Sequence, residues 1–339
     1  MRTRPKRVTL HDIAAVAGVS AQTVSRVVNN QEGVSDDTRQ RIQAIMDELN
    51  YRPNIAARVL NSQKTFLLEA VLVDVGYMGE IGDTIAEMAK TAKDAGYDII
   101  FSIITAAELE TTLKQSAARM IDGFILLAPR LRHSDETMAR LSQGIPFVRM
   151  SNQLGTSLPS VTYDFRLGTQ LLMEYLVSLG HRQIAEISGP LEQLNALARH
   201  EEWQQFLLGH GLPLGPSIAV DYGMQPGYEA AHRLLEGGEA FTAVFAGNDD
   251  LALGVLRAFS EAGIRVPAEV SVIGFDDARH AAFVQPSLTT IRLDLVALGR
   301  IAAKYLIELI EDDAMIPHQR VLTPELIVRE STAPPRKQR

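Results

Sequence analysis

From Thr65 onward, short apolar runs alternate with amphipathic helical patterns, and this alternation restricts the fold more than any other feature of the chain. Leu67 to Val75, Asp98 to Ile104, Gly123 to Ala128 and Phe147 to Ser151 read as short buried strands, with helical periodicity over Ile81–Ala95 and Leu109–Met120 between them. A second series follows at Gln183–Ser188, Ala243–Gly247 and Val270–Phe275, with Leu171, Leu172, Tyr175, Leu176 and Leu179 marking one helical face. Strand-helix alternation specifies parallel sheets, so two α/β lobes are expected. Ligands bind at the carboxyl ends of parallel strands, and two lobes facing one another enclose a cleft there.

The first sixty-six residues are of another kind. They carry ten Lys/Arg against six Asp/Glu, leaving 23 basic against 35 acidic groups for the remainder, although the whole chain has a net charge of −8. A basic head on an acidic body suggests a phosphate-binding module joined to a part that does not touch nucleic acid. The absence of cysteine excludes disulfides, thiol catalysis and cysteine-ligated zinc. No run approaches the roughly 18 apolar residues of a membrane span, and Met1 to Arg7 lead into Val8-Thr9-Leu10-His11-Asp12 instead of an apolar signal core. A cytoplasmic location without membrane contact is expected.

Within the head, Thr9 and Asp12 have the spacing of a capping box, and Leu10, Ile13, Ala14 and Ala17 share a helical face that Gly18 ends. Ser20 caps a second helix and Ser35 a third, whose apolar face is Ile42, Ile45, Met46 and Leu49. In the second helix Val24, Val27 and Val28 can bury together, while Gln22 and Arg26 stand one turn apart on the opposite side. Gln and Arg make bidentate hydrogen bonds to adenine and guanine edges in the major groove, and two helices joined by a short Gly-containing turn have the spacing of a helix-turn-helix. Taken alone, the stretch also fits an ordinary surface helix with a solvated polar face.

Val8-Thr9-Leu10-His11-Asp12-Ile13-Ala14, Ala17-Gly18-Val19-Ser20, Thr23-Val24-Ser25-Arg26-Val27-Val28-Asn29 and Leu49-Asn50-Tyr51-Arg52-Pro53-Asn54 resemble the lactose-repressor (LacI/GalR) family of bacterial transcription factors. The resemblance continues through Gly189-Pro190-Leu191, Asn248-Asp249-Asp250-Leu251-Ala252-Leu253-Gly254 and Val270 to Asp277, and reaches Ser331. It implies an all-α helix-turn-helix head at 1–52, a hinge helix and linker at 53–65, and a periplasmic-binding-protein-like α/β body of two parallel-sheet lobes at 66–331. Lobe 1 takes about 66–163 and 295–320, lobe 2 about 164–291 and 321–331, and 332–339 form a tail.

The same resemblance implies a ligand-controlled regulator, expected to be a repressor, that binds a palindromic operator as a homodimer. Gln22 and Arg26 would read bases, with Ala21 a departure, small where the resemblance leads one to expect a large aromatic residue. Arg7, Thr9, Ser20, Ser25 and Thr38 are suited to phosphates, and Leu10, Thr23, Asn29 and Tyr51 complete the expected DNA-contacting set. Pro53 prevents any earlier helix from continuing, and Asn54 can cap a new one too short to be stable alone. In the family this hinge helix, with Ala57 and Leu60, folds on the operator and wedges the minor groove. A plain interdomain linker is the alternative.

For the effector, the resemblance carries Arg199, Asn248 and Asp276 as polar contacts, Tyr222 as an aromatic wall and Asn195 as a further polar group; Asp74, near the end of the first strand, and Tyr77, just after it, are also expected to contact the effector. Two departures bear on ligand chemistry. Ser151 occupies a position that is usually Asp, and strand alternation places Arg149 on the face of Phe147 and Ser151. A lost carboxylate and a gained Arg point to a sugar-like effector with a negative group, held by Arg149 and Arg199; a structural ion pair is the other role open to Arg149. A freestanding solute-binding protein would have the same cleft but no use for residues 1–61. For an enzyme, Asp249-Asp250 and Asp276-Asp277 offer carboxylates, yet no nucleophile motif, phosphate loop or metal-ligand cluster accompanies them, so no catalytic residue, cofactor or metal is expected. Thr332 to Arg339 are too short for a heptad bundle, which favours a dimer over a tetramer assembled through the C-terminus.

Overall fold

The computed structural model describes residues 8–28, 32–49, 51, 64–75, 81–130, 134–150, 154–312 and 314–336. The chain divides into two compact units, residues 1–65 and 66–339.

In the first unit three helices, Leu10–Ala17, Ala21–Val28 and Asp36–Glu48, enclose one small core. Ile13, Ala14, Ala17, Val24, Val27, Ile42 and Met46 are buried together, with Val28, Ile45 and Leu49 packed partly against them. The capping box forms as its spacing requires: Asp12 N donates to Thr9 Oγ1 at 3.3 Å and Thr9 N to Asp12 Oδ2 at 2.8 Å. Gly18 ends the first helix in the left-handed region at φ 65°, a conformation that favours glycine. Thr23 N then donates to Ser20 Oγ at 3.1 Å, capping the second helix. Ser35 behaves differently from expectation. It stands at the N-cap of the third helix without a capping bond, and its hydroxyl donates to Thr38 Oγ1 at 2.9 Å.

The second unit contains two parallel sheets. The first has the order β11-β5-β4-β3-β1-β2, from Leu67–Val73 (β1), Asp98–Ile104 (β2), Gly123–Leu127 (β3), Phe147–Met150 (β4), Ser160–Tyr163 (β5) and Gln319–Leu322 (β11). The second has the order β7-β6-β8-β9, from Ile184–Ser188 (β6), Ser217–Ala219 (β7), Ala243–Ala246 (β8) and Ser271–Ile273 (β9). Apolar clusters flank each sheet, as helices on both faces of a parallel sheet require. An antiparallel pair, Thr290–Arg292 (β10) with Glu325–Ile327 (β12), accompanies the crossovers.

β5, β7, β10, β11 and β12, three or four residues each, are absent from the strands expected above. They are too short to show a period. Val321 and Leu322 pair with Thr162 and Tyr163 in the first sheet, so the last crossover lies after Leu322 and not at 320. The helix Leu295–Glu311 packs on the first lobe because Gly299 lies against Thr84, where an added Cβ would come within 2.4 Å of the Thr84 carbonyl oxygen. Residues 332–336 are no loose tail. Ala333 accepts from Ser271 Oγ at 3.1 Å and from His181 Nε2 at 3.0 Å. That bond makes Nε2 the donor of a neutral ring, in keeping with a pKa that burial lowers. Among the described residues no helix is long and apolar enough to cross a membrane.

Candidate functional site

Two separate places gather the residues singled out by sequence. On the head, Gln22 and Arg26 are exposed on the second helix, while Val24 and Val27 anchor its other side in the core. Both long polar side chains therefore leave the same face, separated by one turn. Thr9 and Ser20 are exposed, and Thr23, Ser25 and Thr38 are half-buried. Leu10, Ala21 and Tyr51 are also half-buried and pack on the head's core, so part of each is committed to stability. Arg7, Asn29, Asn54, Ala57, Leu60, Tyr77 and Ser151 lie outside the described residues.

In the body, the carboxyl ends of both sheets converge on a cavity of about 240 Å³. Asp74, Asn195, Arg199, Tyr222, Asn248 and Asp276 all line it. Arg199, on the Leu194–Gly209 helix, is 3% exposed. Its guanidinium lies 4.7 Å from the Phe275 ring centroid and 5.5 Å from that of Phe165, an aromatic cradle that replaces lost hydration. One terminal nitrogen, Nη2, donates to the Tyr222 hydroxyl, whereas Nε has no partner among the described residues. Asn195 also hydrogen-bonds Tyr222, and its Oδ1 is unpartnered among those residues. Burial raises the Tyr222 pKa, with the neighbouring Arg199 charge opposing it.

Tyr222 is placed by an absence. Gly189, which follows β6, faces its ring, and an added Cβ would lie 2.3 Å from Cε1. Asn248 caps the Asp249–Glu261 helix, its Oδ1 accepting from Leu251 N at 2.9 Å, which leaves the amide donors for other partners. Asp276 follows β9 at φ 115°, a conformation that favours glycine. The surrounding bonds hold it there. Asp249, 1% exposed, accepts from Ala278 N at 2.7 Å and Thr290 Oγ1 at 2.6 Å, tying down both sides of the Asp276 turn. Burial, reinforced by the charge of Asp276, raises the pKa of Asp249 well above the ordinary carboxylate value.

Arg149 is not in the cavity. Alternation along β4 turns Phe147 and Arg149 to one side of the first sheet, and Met150 is the residue that reaches the ligand space. Arg149 is 4% exposed, with Nη1 3.9 Å from Asp135 Oδ1 and without a hydrogen-bond partner for that nitrogen among the described residues. Asp135 is held ionised by the hydroxyls of Ser157, at 2.6 Å, and Thr156, at 2.9 Å. Sequence reasoning also missed the apolar wall formed by Leu127, Met150 and Leu298, and the positioning role of Asp249. Leu127 and Met150 end the observed strands, one residue inside the expected ends at Ala128 and Ser151, so the strand-end rule points to their neighbourhood.

A trihelical head with an exposed Gln/Arg face, joined to a two-lobed body enclosing a polar cavity, defines a ligand-responsive DNA-binding protein. The chain belongs to the lacI family of bacterial regulatory proteins, whose profile it matches over residues 9–54, and residues 173–332 match a periplasmic binding protein-like domain. It is 32% identical to the lactose operon repressor of Escherichia coli (strain K12) over 338 residues, covering 98% of this chain and 93% of that one. It is 31% identical to the HTH-type transcriptional repressor PurR of Haemophilus influenzae (strain PittEE), covering 95% of this chain and 98% of that one. The crystal structure of the lac repressor dimer bound to operator and the anti-inducer ONPF superposes with a TM-score of 0.83 at 31% identity, covering 97% and 100% of the two chains. The protein is a DNA-binding transcriptional regulator with an effector-binding body, in a family of repressors and not of enzymes.

Proposed function

We propose that the protein represses transcription by binding a palindromic operator as a homodimer in the cytoplasm, with a sugar-like effector in the interlobe cavity setting its affinity. The exposed Gln22 and Arg26 pair carries the DNA half of this reading, because two groups able to read base edges project from a helix whose other face is locked in a core. Thr9, Ser20, Ser25 and Thr38 take phosphates, together with Arg7. Residues 53–65 act as the hinge, coupling the body to pairing of the two heads. Closure of the lobes on a ligand would shift one half of each protomer against its mate, and a marginal hinge helix responds without a long wire of contacts.

Arg26→Ala should weaken binding of the selected operator by roughly 1–3 kcal/mol per half-site while leaving random DNA nearly unchanged. Equal loss on both would contradict base reading. Deleting residues 54–61 should abolish operator binding and spare effector binding.

The effector reading changes with the position of Arg149. Of the cavity-lining residues, Asp74, Asp250 and Asp276 are acidic, Asp249 is pushed by burial toward its neutral form, and Arg199 is basic, so an anionic group would meet more repulsion than attraction. A neutral, hydroxylated ligand fits better: Arg199, Asn195, Asn248 and Asp276 supply the planar donors and acceptors that bind adjacent hydroxyls in pairs.

A further inference from the structure

The helix that brings Arg199 and Asn195 to the cavity is fixed to its sheet in two ways. Toward its end, Trp203, Phe206 and Leu207 of the Leu194–Gly209 helix bury in the apolar core beside Ile184 of β6. Toward its start the contact is polar. Glu186, fully buried in the middle of β6, accepts from Ser217 Oγ at 2.6 Å and, through the same oxygen Oε2, pairs with His200 Nδ1 at 2.7 Å. Strand alternation turns Ile184, Glu186 and Ser188 to the face that this helix covers. Several buried atoms on the two facing sides have no hydrogen-bond partner among the described residues: Glu186 Oε1, Ser188 Oγ, Trp203 Nε1, Arg199 Nε and Asn195 Oδ1.

A seam with open polar valences does not lock a helix as a close-packed apolar core does. The bond from His200 to Glu186 therefore holds the first half of this helix on β6. Arg199 directly precedes His200, Asn195 lies little more than one turn earlier, and both hydrogen-bond Tyr222. A buried carboxylate also needs a positive partner, because burial without one is costly. Facing His200 are Glu186 from β6, the uncharged hydroxyl of Ser217 from β7, and, on its own helix, Glu201, which Arg166 of the Phe165–Ser178 helix pairs. The hydrogen bond to Glu186 raises the His200 pKa above 6.5, against burial, which lowers it. Resting on the reading of this cavity as the effector site, we propose that Glu186 and His200 are its positioning residues: their ion pair seats the helix on β6, so that Arg199 and Asn195 hold the effector tightly while His200 is protonated and more loosely once it is neutral. The regulator then reads acidity together with its effector. Linkage makes the relation mutual: whatever seats Arg199 and Asn195 against Tyr222 strengthens proton binding at His200.

The protein carries its own reporter. Trp203 is the one tryptophan of the sequence, and its ring stacks on His200 with centroids 5.9 Å apart and an interplanar angle of 28°. A protonated imidazole quenches a stacked indole, so tryptophan emission of the full-length protein follows His200. Wild-type emission should rise as pH climbs from 6.5 through the raised value, Glu186→Gln should lower the midpoint, and His200→Gln should remove the step. Tyr222→Phe and Asn195→Ala change no charge, yet each cuts a tie between the helix and the cavity wall. Each should weaken proton binding at His200 by about twofold or more. A midpoint unmoved in both variants, or wild-type emission that does not titrate, would overturn the proposal, and neither result depends on Glu186→Gln folding. Thermal shift with D-glucose, D-galactose, D-ribose and D-fructose at about pH 6 and about pH 8 tests the consequence for binding. A sugar that stabilises the wild type should do so more strongly at the lower pH, and Glu186→Gln should lose the difference. Equal stabilisation of the wild type at both values would overturn the proposal and leave the effector site in place. Stabilisation by none of the four, with the midpoint shifts present, would overturn the sugar reading of the cavity and leave the coupling standing.

Discussion

Arg279 of the second lobe donates through one terminal nitrogen, Nη2, to both carboxylate oxygens of Asp83 in the first, at 2.8 and 2.7 Å. Asp83 lies two residues from Ile81 and Arg279 follows Ala278, both of which line the cavity, so the pair bridges the lobes beside the ligand space. A second bridge runs from Leu194 N to Pro129 O at 3.2 Å. The Arg279 side chain is 81% exposed, and exposed ion pairs contribute little. Arg279→Ala should therefore weaken effector binding by no more than about fivefold at low salt, with the difference fading as salt screens the pair. Calorimetry at two ionic strengths checks this; a large, salt-independent loss would mean that Arg279 touches the ligand itself.

Gly189→Ala should act on the effector through Tyr222. The new Cβ would stand 2.3 Å from the ring, which must swing away and take its hydroxyl from Arg199 and Asn195. Effector affinity should fall by about tenfold or more, as for the loss of one good contact and the disordering of another. Circular dichroism should stay near wild type. Unchanged affinity would show that the tyrosine does not form the ligand wall.

Asp249→Ala removes the acceptor that holds Ala278 N and Thr290 Oγ1, and so frees the turn carrying Asp276. The effector Kd should rise because the turn loosens, since both Asp249 oxygens are already engaged in holding it. Asp249→Asn retains one acceptor oxygen and should recover part of the loss. Equal effects of the two substitutions would argue against a positioning role.

The buried Glu186 carboxylate accepts from Ser217 Oγ at 2.6 Å and pairs with His200 Nδ1 at 2.7 Å. That hydrogen bond raises the pKa of His200 above its ordinary 6.5. A raised folded-state value means the contribution is complete below 6.5 and is lost as pH climbs through the raised value. Wild-type stability in urea should thus decline as pH rises from 6.5 through the raised value, relative to Glu186→Gln, in which His200 loses its anionic partner. Parallel profiles would contradict the coupling. Burial lowers the His181 pKa and tilts both profiles the opposite way, so the difference between proteins is the quantity to read.

Much of this molecule is legible in its sequence because the informative signals are local and redundant. Thr9 with Asp12, Gly18 and Ser20 mark helix ends by spacing alone, and the apolar positions of the head recur at helical period. Asn248 and Asp276 are carried by the resemblance, and each also follows an expected buried strand. Arg149 shows where such reasoning fails. Alternation gives relative facing within a strand, yet which face meets the ligand depends on the helices packed against the sheet, and Met150 is the residue turned toward the cavity. The apolar wall is illegible for a related reason: Leu127 and Leu298 look like core residues in sequence, and only their placement at the cavity distinguishes them. Ala21, conspicuous as a small residue in a reading helix, packs in part on the head's core.

The account joins an operator-reading head to a ligand cavity in one chain, and the most direct test measures both at once. Fluorescence anisotropy of a labelled palindrome, selected from random DNA by the full-length protein, gives the operator Kd with and without a saturating sugar that a thermal-shift screen shows to bind the protein. Coupling of the usual size for linked sites predicts a shift of about fivefold or more in either direction, while Arg199→Ala holds the operator Kd fixed at the same ligand concentration. An operator Kd that does not move while the ligand is bound would contradict the account.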